Sequence, residues 1–275
     1  MRAIVLATPR TATTVTCELL AQKYQLKNIQ YLAFQLLPFL AKKYKQSARS
    51  DAFDEKQSFI ASHILSKDNF VMKLHGFQSL DRVNLDWSRF DQIVFSSRQN
   101  TLEQFKSLLY FRSFKPESGL SWPERMNQAL ETTLAQHLPR ILDYDFSTEQ
   151  QVQELIDGYW PLQQYVSKGL EAKPITIGGT DLVSHVNGFH DELLKYQRVK
   201  TYLAGQYPDR CHEVSYEMWQ QDPESAAASL TAALGIAVTA ADVQNVISRP
   251  ENINYDQCFT NVNEINDIYH SVFDN

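Results

Sequence analysis

The sequence predicts an α/β domain with a parallel sheet of about four or five strands, because short apolar runs alternate with helical patterns along the chain. Three of these runs, at 3–7, 70–74 and 92–96, consist mostly of apolar residues, as expected for strands buried on both faces of a parallel sheet. Each is followed by a turn and a helical pattern. A fourth strand is expected at 211–215.

Helical patterns fill the segments between these strands. We expect a first helix at 13–24 and two more at 31–44 and 54–66. Further along the chain, 121–172 is helical in pattern almost throughout and rich in Gln, Glu and Leu. The sheet is therefore expected to have helices on both of its faces.

Two later helices have clear boundary signals. The first covers 181–207, and Thr180 or Asp181 is expected to cap its N-terminus. The second covers 222–234, where an Asp followed by Pro opens the helix and Gly235 ends it.

Composition excludes several classes of protein. The 275 residues are 43% apolar and 21% charged, as in ordinary soluble domains. The net charge of −6 argues against binding to nucleic acid or to an anionic membrane. Three widely spaced cysteines favour a reducing compartment, so we expect a cytoplasmic protein without a membrane span. The simplest organisation is one domain over 1–275 with a helical insertion at about 112–207.

The segment 8–14 (TPRTATT) joins the first strand to the first helix. Amides at a helix N-terminus, several hydroxyls and the cation of Arg10 together form a phosphate-binding arrangement. The glycines and the Lys-Ser/Thr ending of a Walker A motif are absent, which disfavours ATP or GTP hydrolysis. The same residues also fit a plain connecting turn in which a threonine caps the helix.

Two other strand ends carry polar residues. Lys73 and His75 close the second strand, and strand alternation places both on one side. Arg98 follows the third strand, and Ser107 lies nine residues further along the next helix. Ligands of open parallel sheets bind beyond the carboxyl ends of the strands. Taken alone, each feature also fits a solvated charge, a histidine satisfied by a neighbour or a neutral helix residue, and for an isolated Lys-x-His this plainer interpretation is favoured.

In their order along the chain, these segments resemble the sulfotransferases that use 3′-phosphoadenosine-5′-phosphosulfate (PAPS) as donor. The series consists of the TPRTATT loop, the Lys-x-His strand end, the Arg-to-Ser segment, and a strand ending in SYE before a DPE helix start. The resemblance implies a P-loop-like nucleotide-binding fold and transfer of a sulfuryl group from PAPS to a hydroxyl or, less readily, an amine. The product would be 3′-phosphoadenosine-5′-phosphate (PAP), and no metal is implied.

The resemblance also implies roles for individual residues. The residues that would surround the 5′-phosphosulfate are Arg10, Thr11, Ala12, Thr13 and Thr14. Arg98 and Ser107 match the pair that holds the 3′-phosphate, and Tyr216 falls beside the nucleotide. Lys73 matches a residue that, with the loop arginine, stabilises the transferring group, and His75 matches a general base.

This sequence also departs from the family pattern. Ala12 replaces a glycine, which costs about 1 kcal/mol or more if the position requires a positive φ. Glu18 on the first helix is an alternative base to His75. Two other classes remain open: a P-loop phosphotransferase and a catalytically silent member of the fold. Aromatic and apolar residues in 25–66 and 112–172 suggest a small apolar or aromatic alcohol as acceptor.

Overall fold

A computed structural model describes residues 1–28, 66–75, 85–113, 148–158, 174–246 and 254–274. Its strands form an all-parallel sheet in the order β2-β3-β1-β4-β5. The strands are β1 Arg2–Ala7, β2 Lys27–Asn28, β3 Phe70–His75, β4 Gln92–Ser97 and β5 Cys211–Ser215. The predicted fold class, a parallel sheet flanked by helices, is confirmed.

Strand β1 lies in the centre of the sheet, and its last residue marks the point where the chain changes direction. Ala7 pairs in register with His75 of β3 on one side and with Ser96 of β4 on the other. The chain after β1 builds β2 and β3 on one side, and then crosses to build β4 and β5 on the other. Such a switch point opens a crevice at the carboxyl edge of a sheet, where ligands bind.

All four predicted strands are present, and the first three are one residue longer than expected. Sequence analysis did not predict β2. This strand has only two residues, and it is recognisable only through its pairing with Phe70 and Val71 of β3. A Lys-Asn pair carries no apolar pattern, so local sequence gives no signal for it.

Helices account for most of the remaining described residues. They are α1 Thr13–Tyr24, α2 Thr101–Ser113, α3 Glu149–Gly158, α4 Gly179–Gln206, α5 Tyr216–Trp219, α6 Pro223–Leu234, α7 Ala240–Val246 and α8 Val262–Phe273. Helix α1 has the predicted bounds. Among the described helices, none combines the length and the apolarity that crossing a membrane requires.

The two helices with clear boundary signals differ in outcome. Helix α6 begins after Asp222, which accepts a hydrogen bond from the Ser225 amide at 3.1 Å, and it ends at Gly235 with φ 66°, as predicted. The predicted cap of α4 is wrong. Its N-cap is Gly178, whose carbonyl already accepts from the amide of Leu182 at 2.9 Å, so the helix begins before Thr180.

Three of the predicted helical segments lie wholly or mostly outside the described residues. The expected helix at 31–44 lies outside the described residues, and only Ser66 of the helix at 54–66 is described. Within the helical pattern at 121–172, the described residues are 148–158, which contain α3.

Two hydrophobic cores hold the described elements together. The sheet core packs α1, α6 and α7 against one face of the sheet, and includes Val5, Leu19, Val94, Leu230 and Val243. The helical core joins α2, the first half of α4, and α8. It is rich in aromatic residues: the ring centroid of Phe105 lies 5.4 Å from that of Phe189 and 5.7 Å from that of Tyr269. Offset aromatic pairs of this kind add about 0.5–1.5 kcal/mol beyond the burial of their area.

Candidate functional site

The loop between β1 and α1 contains two non-glycine residues with a left-handed backbone. Arg10 has φ 69° and Ala12 has φ 59°. Ala12 is the N-cap of α1 and offers no side-chain cap to the helix. A left-handed L-residue costs about 1–2 kcal/mol, whereas glycine adopts this conformation without steric strain. The family resemblance leads us to expect a glycine at this position, and the left-handed backbone is the physical reason for it. Ala12 adopts the same conformation with strain.

Side chains from two neighbouring elements fix the shape of this loop. Gln104 on α2 donates through Nε2 to the hydroxyl of Thr8 at 2.6 Å and to the carbonyl of Pro9 at 2.7 Å. Ser96 at the end of β4 donates to the carbonyl of Thr11, whose own hydroxyl donates to the Thr8 carbonyl at 3.0 Å. Sequence analysis did not assign Ser96 or Gln104 to the site, because neither residue type indicates by itself that it will be buried.

Strand β3 brings a buried cation to the start of α1. Lys73 is 5% exposed, and its Nζ donates to the Thr14 hydroxyl at 3.2 Å. Thr13, the first residue of the helix, is also buried. The N-terminus of a helix carries a partial positive charge, and an ammonium beside the first turn makes the local potential more positive. Such a potential favours the binding of an anion.

Two further titratable side chains of α1 lie near Lys73. Burial raises the pKa of the Cys17 thiol to about 12, so this cysteine stays protonated at neutral pH and is not a nucleophile. Burial also raises the pKa of Glu18, an effect that the nearby positive charge of Lys73 partly opposes. Glu18 lies one helical turn after Thr14, so both residues share one face of α1.

His75 is the last residue of β3, and its backbone pairs with Ala7, directly before the loop. His75 therefore lies at the carboxyl edge of the sheet, as expected. Its side chain lies outside the described part of the structure, so its role as base stays a prediction.

Arg10 is held against the helical core. Its Nε donates to the Ser107 hydroxyl at 2.9 Å, and its Nη2 donates to the Tyr255 hydroxyl at 3.5 Å. The guanidinium carbon lies 3.7 Å from the ring centroid of Phe111. Ser107 itself is 1% exposed. The structure thus brings Ser107 to Arg10, where the sequence led us to expect Ser107 beside Arg98.

Arg98 lies beyond the adjacent strand end and meets Tyr216. The two residues follow Ser97 and Ser215, which pair in register as the last residues of β4 and β5. The guanidinium carbon of Arg98 lies 4.4 Å from the ring centroid of Tyr216. Its Nε is buried, and no described residue accepts a hydrogen bond from it. Arg98 and Tyr216 therefore lie together at the carboxyl edge of the sheet.

The described residues contain no group of three or more His, Cys, Asp or Glu side chains that could hold a metal ion. The fold and the site together define a parallel α/β protein with cationic side chains at the carboxyl edge of its sheet. The chain matches no protein-family model, no curated protein and no solved structure among those with which it was compared.

Proposed function

We propose that this protein transfers a sulfuryl group from PAPS to the hydroxyl of a small apolar or aromatic acceptor. One observation carries the proposal: the buried Lys73 contacts Thr14 in the first turn of α1, the helix that begins at the end of the strained loop of Arg10 and Ala12. The Lys73 ammonium and the N-terminus of α1 are both positive and lie together, so a bound phosphosulfate would interact favourably with both. The order of segments along the chain favours PAPS as the source of that anion.

The residues of the chain also fit the two ends of such a nucleotide. The loop from Arg10 to Thr14, with Lys73, would hold the 5′-phosphosulfate. Arg98 would hold the 3′-phosphate, since its cation has a donor without a partner among the described residues, and Tyr216 would lie beside the nucleotide. We assign Ser107 a different role from the one first expected, because its hydroxyl orients the guanidinium of Arg10.

In the reaction, the bond from sulfur to the acceptor oxygen forms while the bond from sulfur to the phosphate oxygen breaks. Lys73 and Arg10 stabilise the negative charge that develops on the leaving phosphate and the sulfuryl oxygens. The proton of the acceptor hydroxyl passes to a side chain at the same edge. His75 is our first assignment and Glu18 the alternative, since burial brings the pKa of Glu18 closer to neutrality.

The contacts of Arg10 also favour a second candidate function, a protein that binds the nucleotide without turnover. Ser107 and Phe111 of α2, together with Tyr255, engage its guanidinium group, and these contacts would have to change before the group could bind a sulfuryl oxygen. Such a protein would bind PAP and PAPS and leave the donor intact.

The experiment is to incubate the protein with PAPS and a panel of phenols, aliphatic alcohols and amines, and to measure PAP release by chromatography. We expect release that depends on the acceptor. Lys73→Met should lower the rate about a hundredfold, the usual cost of losing one charge-stabilising group. Lys67→Met, a lysine before β3 at the opposite edge of the sheet, is the matched control and should retain the rate.

Three results separate the alternatives. Acceptor-dependent PAP release that Lys73→Met abolishes supports the transferase. PAP binding without release for any acceptor class supports the silent nucleotide-binding protein and contradicts the transferase. A protein that binds neither PAP nor PAPS contradicts both.

A further inference from the structure

A carboxylate holds the loop that carries Arg98. Oε1 of Glu217 accepts hydrogen bonds from the backbone amides of Gln99 at 3.0 Å and Asn100 at 3.4 Å. These two amides directly precede α2, whose first turn is capped separately, because Asn100 accepts from the amide of Glu103 at 3.0 Å. Without Glu217, neither amide has a partner within α2.

The same short segment also contacts the Arg98 side chain. Tyr216, the residue before Glu217, places its ring against the guanidinium at 4.4 Å. The segment after β5 thus contacts the segment after β4 at two places. Tyr216 contacts the side chain of Arg98, and Glu217 binds the two amides that follow it. An arginine that is held at its side chain and at the two backbone amides after it has little freedom to change direction.

We infer that Glu217 is a positioning residue that aims Arg98 at the 3′-phosphate of the nucleotide. The inference rests on the proposed function. A carboxylate close to an arginine that binds phosphate weakens the binding of an anion through charge repulsion. The two amides that Glu217 holds explain its presence here. This explanation predicts that removing the side chain weakens binding of the 3′-phosphate, whereas a purely electrostatic role predicts that removal strengthens it.

The test compares Glu217→Ala, Glu217→Gln and the matched control Glu213→Ala. Glutamine keeps a carbonyl oxygen for the two amides and removes the charge, whereas alanine removes both. Glu213 is an acidic residue of the neighbouring β5 that pairs with Lys200 at 2.6 Å and accepts from the hydroxyl of Ser97, the residue before Arg98, at 3.3 Å. It is thus a carboxylate of the same neighbourhood that does not hold the amides of Gln99 and Asn100. Calorimetry gives the affinities of PAP and 5′-AMP for each variant, and their ratio isolates the contribution of the 3′-phosphate.

We expect Glu217→Ala to lower the ratio of PAP to 5′-AMP affinity about tenfold, the loss of roughly one charge-assisted hydrogen bond. Glu217→Gln should retain the ratio or raise it, and Glu213→Ala should leave it unchanged. A ratio that rises equally in Glu217→Ala and Glu217→Gln would overturn the inference, because it would mean that the carboxylate acts only through its charge. An unchanged ratio in Glu217→Ala would overturn it as well.

Amide hydrogen exchange of the ligand-free protein provides a second readout that does not depend on the nucleotide. The amides of Gln99 and Asn100 should exchange faster in Glu217→Ala and remain protected in Glu217→Gln. Unchanged protection in Glu217→Ala contradicts the inference even if the nucleotide affinities change. A wild-type protein that does not prefer PAP over 5′-AMP contradicts the proposed function and the target assigned to Arg98, and exchange then decides separately whether Glu217 holds the loop.

Discussion

The two arginines at the carboxyl edge of the sheet are held in opposite ways. Arg10 is exposed, yet Ser107 and Phe111 of α2 and the hydroxyl of Tyr255 engage its guanidinium group. Arg98 is half-buried against Tyr216 and has a buried Nε without a partner among the described residues. Arg10 is thus tied to the helical core, and Arg98 is tied to the end of the sheet.

From this difference we propose that the region of Arg10 and the region of Arg98 have different roles. The loop of Arg10 leads into α1, whose first turns lie beside Lys73 and include Glu18, so this region combines cations, a helix N-terminus and a candidate base, and we assign it to the chemical step. The region of Arg98 has a buried donor without a partner in the described part of the chain, and an aromatic ring beside it, so we assign it to holding the nucleotide. Substitutions in the first region should therefore change turnover, and those in the second region should change affinity for PAP.

The largest effect is expected from the base in the region assigned to the chemical step. His75→Ala should lower turnover by about a hundredfold or more, with PAP affinity nearly intact, because positioned proton transfer contributes on that scale. Glu18→Gln should have little effect. Single-turnover kinetics and calorimetry on both variants make the comparison.

The pH profile identifies the base independently. With His75 as base, activity falls as the imidazole is protonated, with a midpoint at about pH 6 to 7. With Glu18 as base, activity falls as the carboxyl group is protonated, at a pH above the ordinary range of glutamate, because burial raises the pKa of Glu18. Loss of activity in Glu18→Gln but not in His75→Ala would reassign the base.

The next effect concerns the division between the two arginines. Arg10→Ala should reduce turnover at least about tenfold more than it reduces PAP affinity, since PAP lacks the sulfuryl group that we propose Arg10 stabilises. Arg98→Ala should reduce PAP affinity instead. Equal losses of turnover and PAP affinity in Arg10→Ala would mean that this arginine only anchors the nucleotide, and the comparison between the two regions would fail.

A smaller effect concerns the strain in the loop of Arg10. Ala12→Gly should raise the free energy of unfolding by about 1 kcal/mol, because glycine adopts φ 59° without steric strain. Ala21→Gly, in the interior of the same helix, is the matched control and should lower it by about 1 kcal/mol. Denaturant unfolding measures both. Destabilisation by both glycines would contradict the left-handed assignment of Ala12.

The smallest effect is expected at the other end of α1. Asp242 accepts hydrogen bonds from Lys23 at 2.6 Å and from the Thr239 amide at 2.7 Å, and these contacts lower the pKa of Asp242 to about 2. Asp242→Asn should cost up to about 1 kcal/mol of stability at neutral pH, with PAP affinity unchanged.

The sign of the pH dependence follows from the lowered pKa of Asp242. The stabilisation is fully present above the ordinary pKa of 3.8, and it is lost as the pH falls towards about 2. Wild type and Asp242→Asn should therefore converge in stability in acid. A difference that stays as large at pH 2 as at neutral pH would show that the carboxylate does not act through its charge.

The sequence predicted the sheet well because its strands are short apolar runs separated by turns and helices. It also located the two loops that carry Arg10 and Arg98, since both follow such strands. It did not predict that Ser107 would bind Arg10, nor that Glu217 would hold the amides of Gln99 and Asn100. These contacts join residues about a hundred positions apart, and only the packing of the folded chain brings them together.

Calorimetric titration of the wild-type protein with PAP and with 5′-AMP tests the central claim most directly. The two nucleotides differ by the 3′-phosphate alone, and Arg98 is the cation assigned to it. The account predicts that PAP binds at least about tenfold more tightly, and that Arg98→Ala removes most of this difference. Equal affinities of the wild-type protein for PAP and 5′-AMP would contradict it.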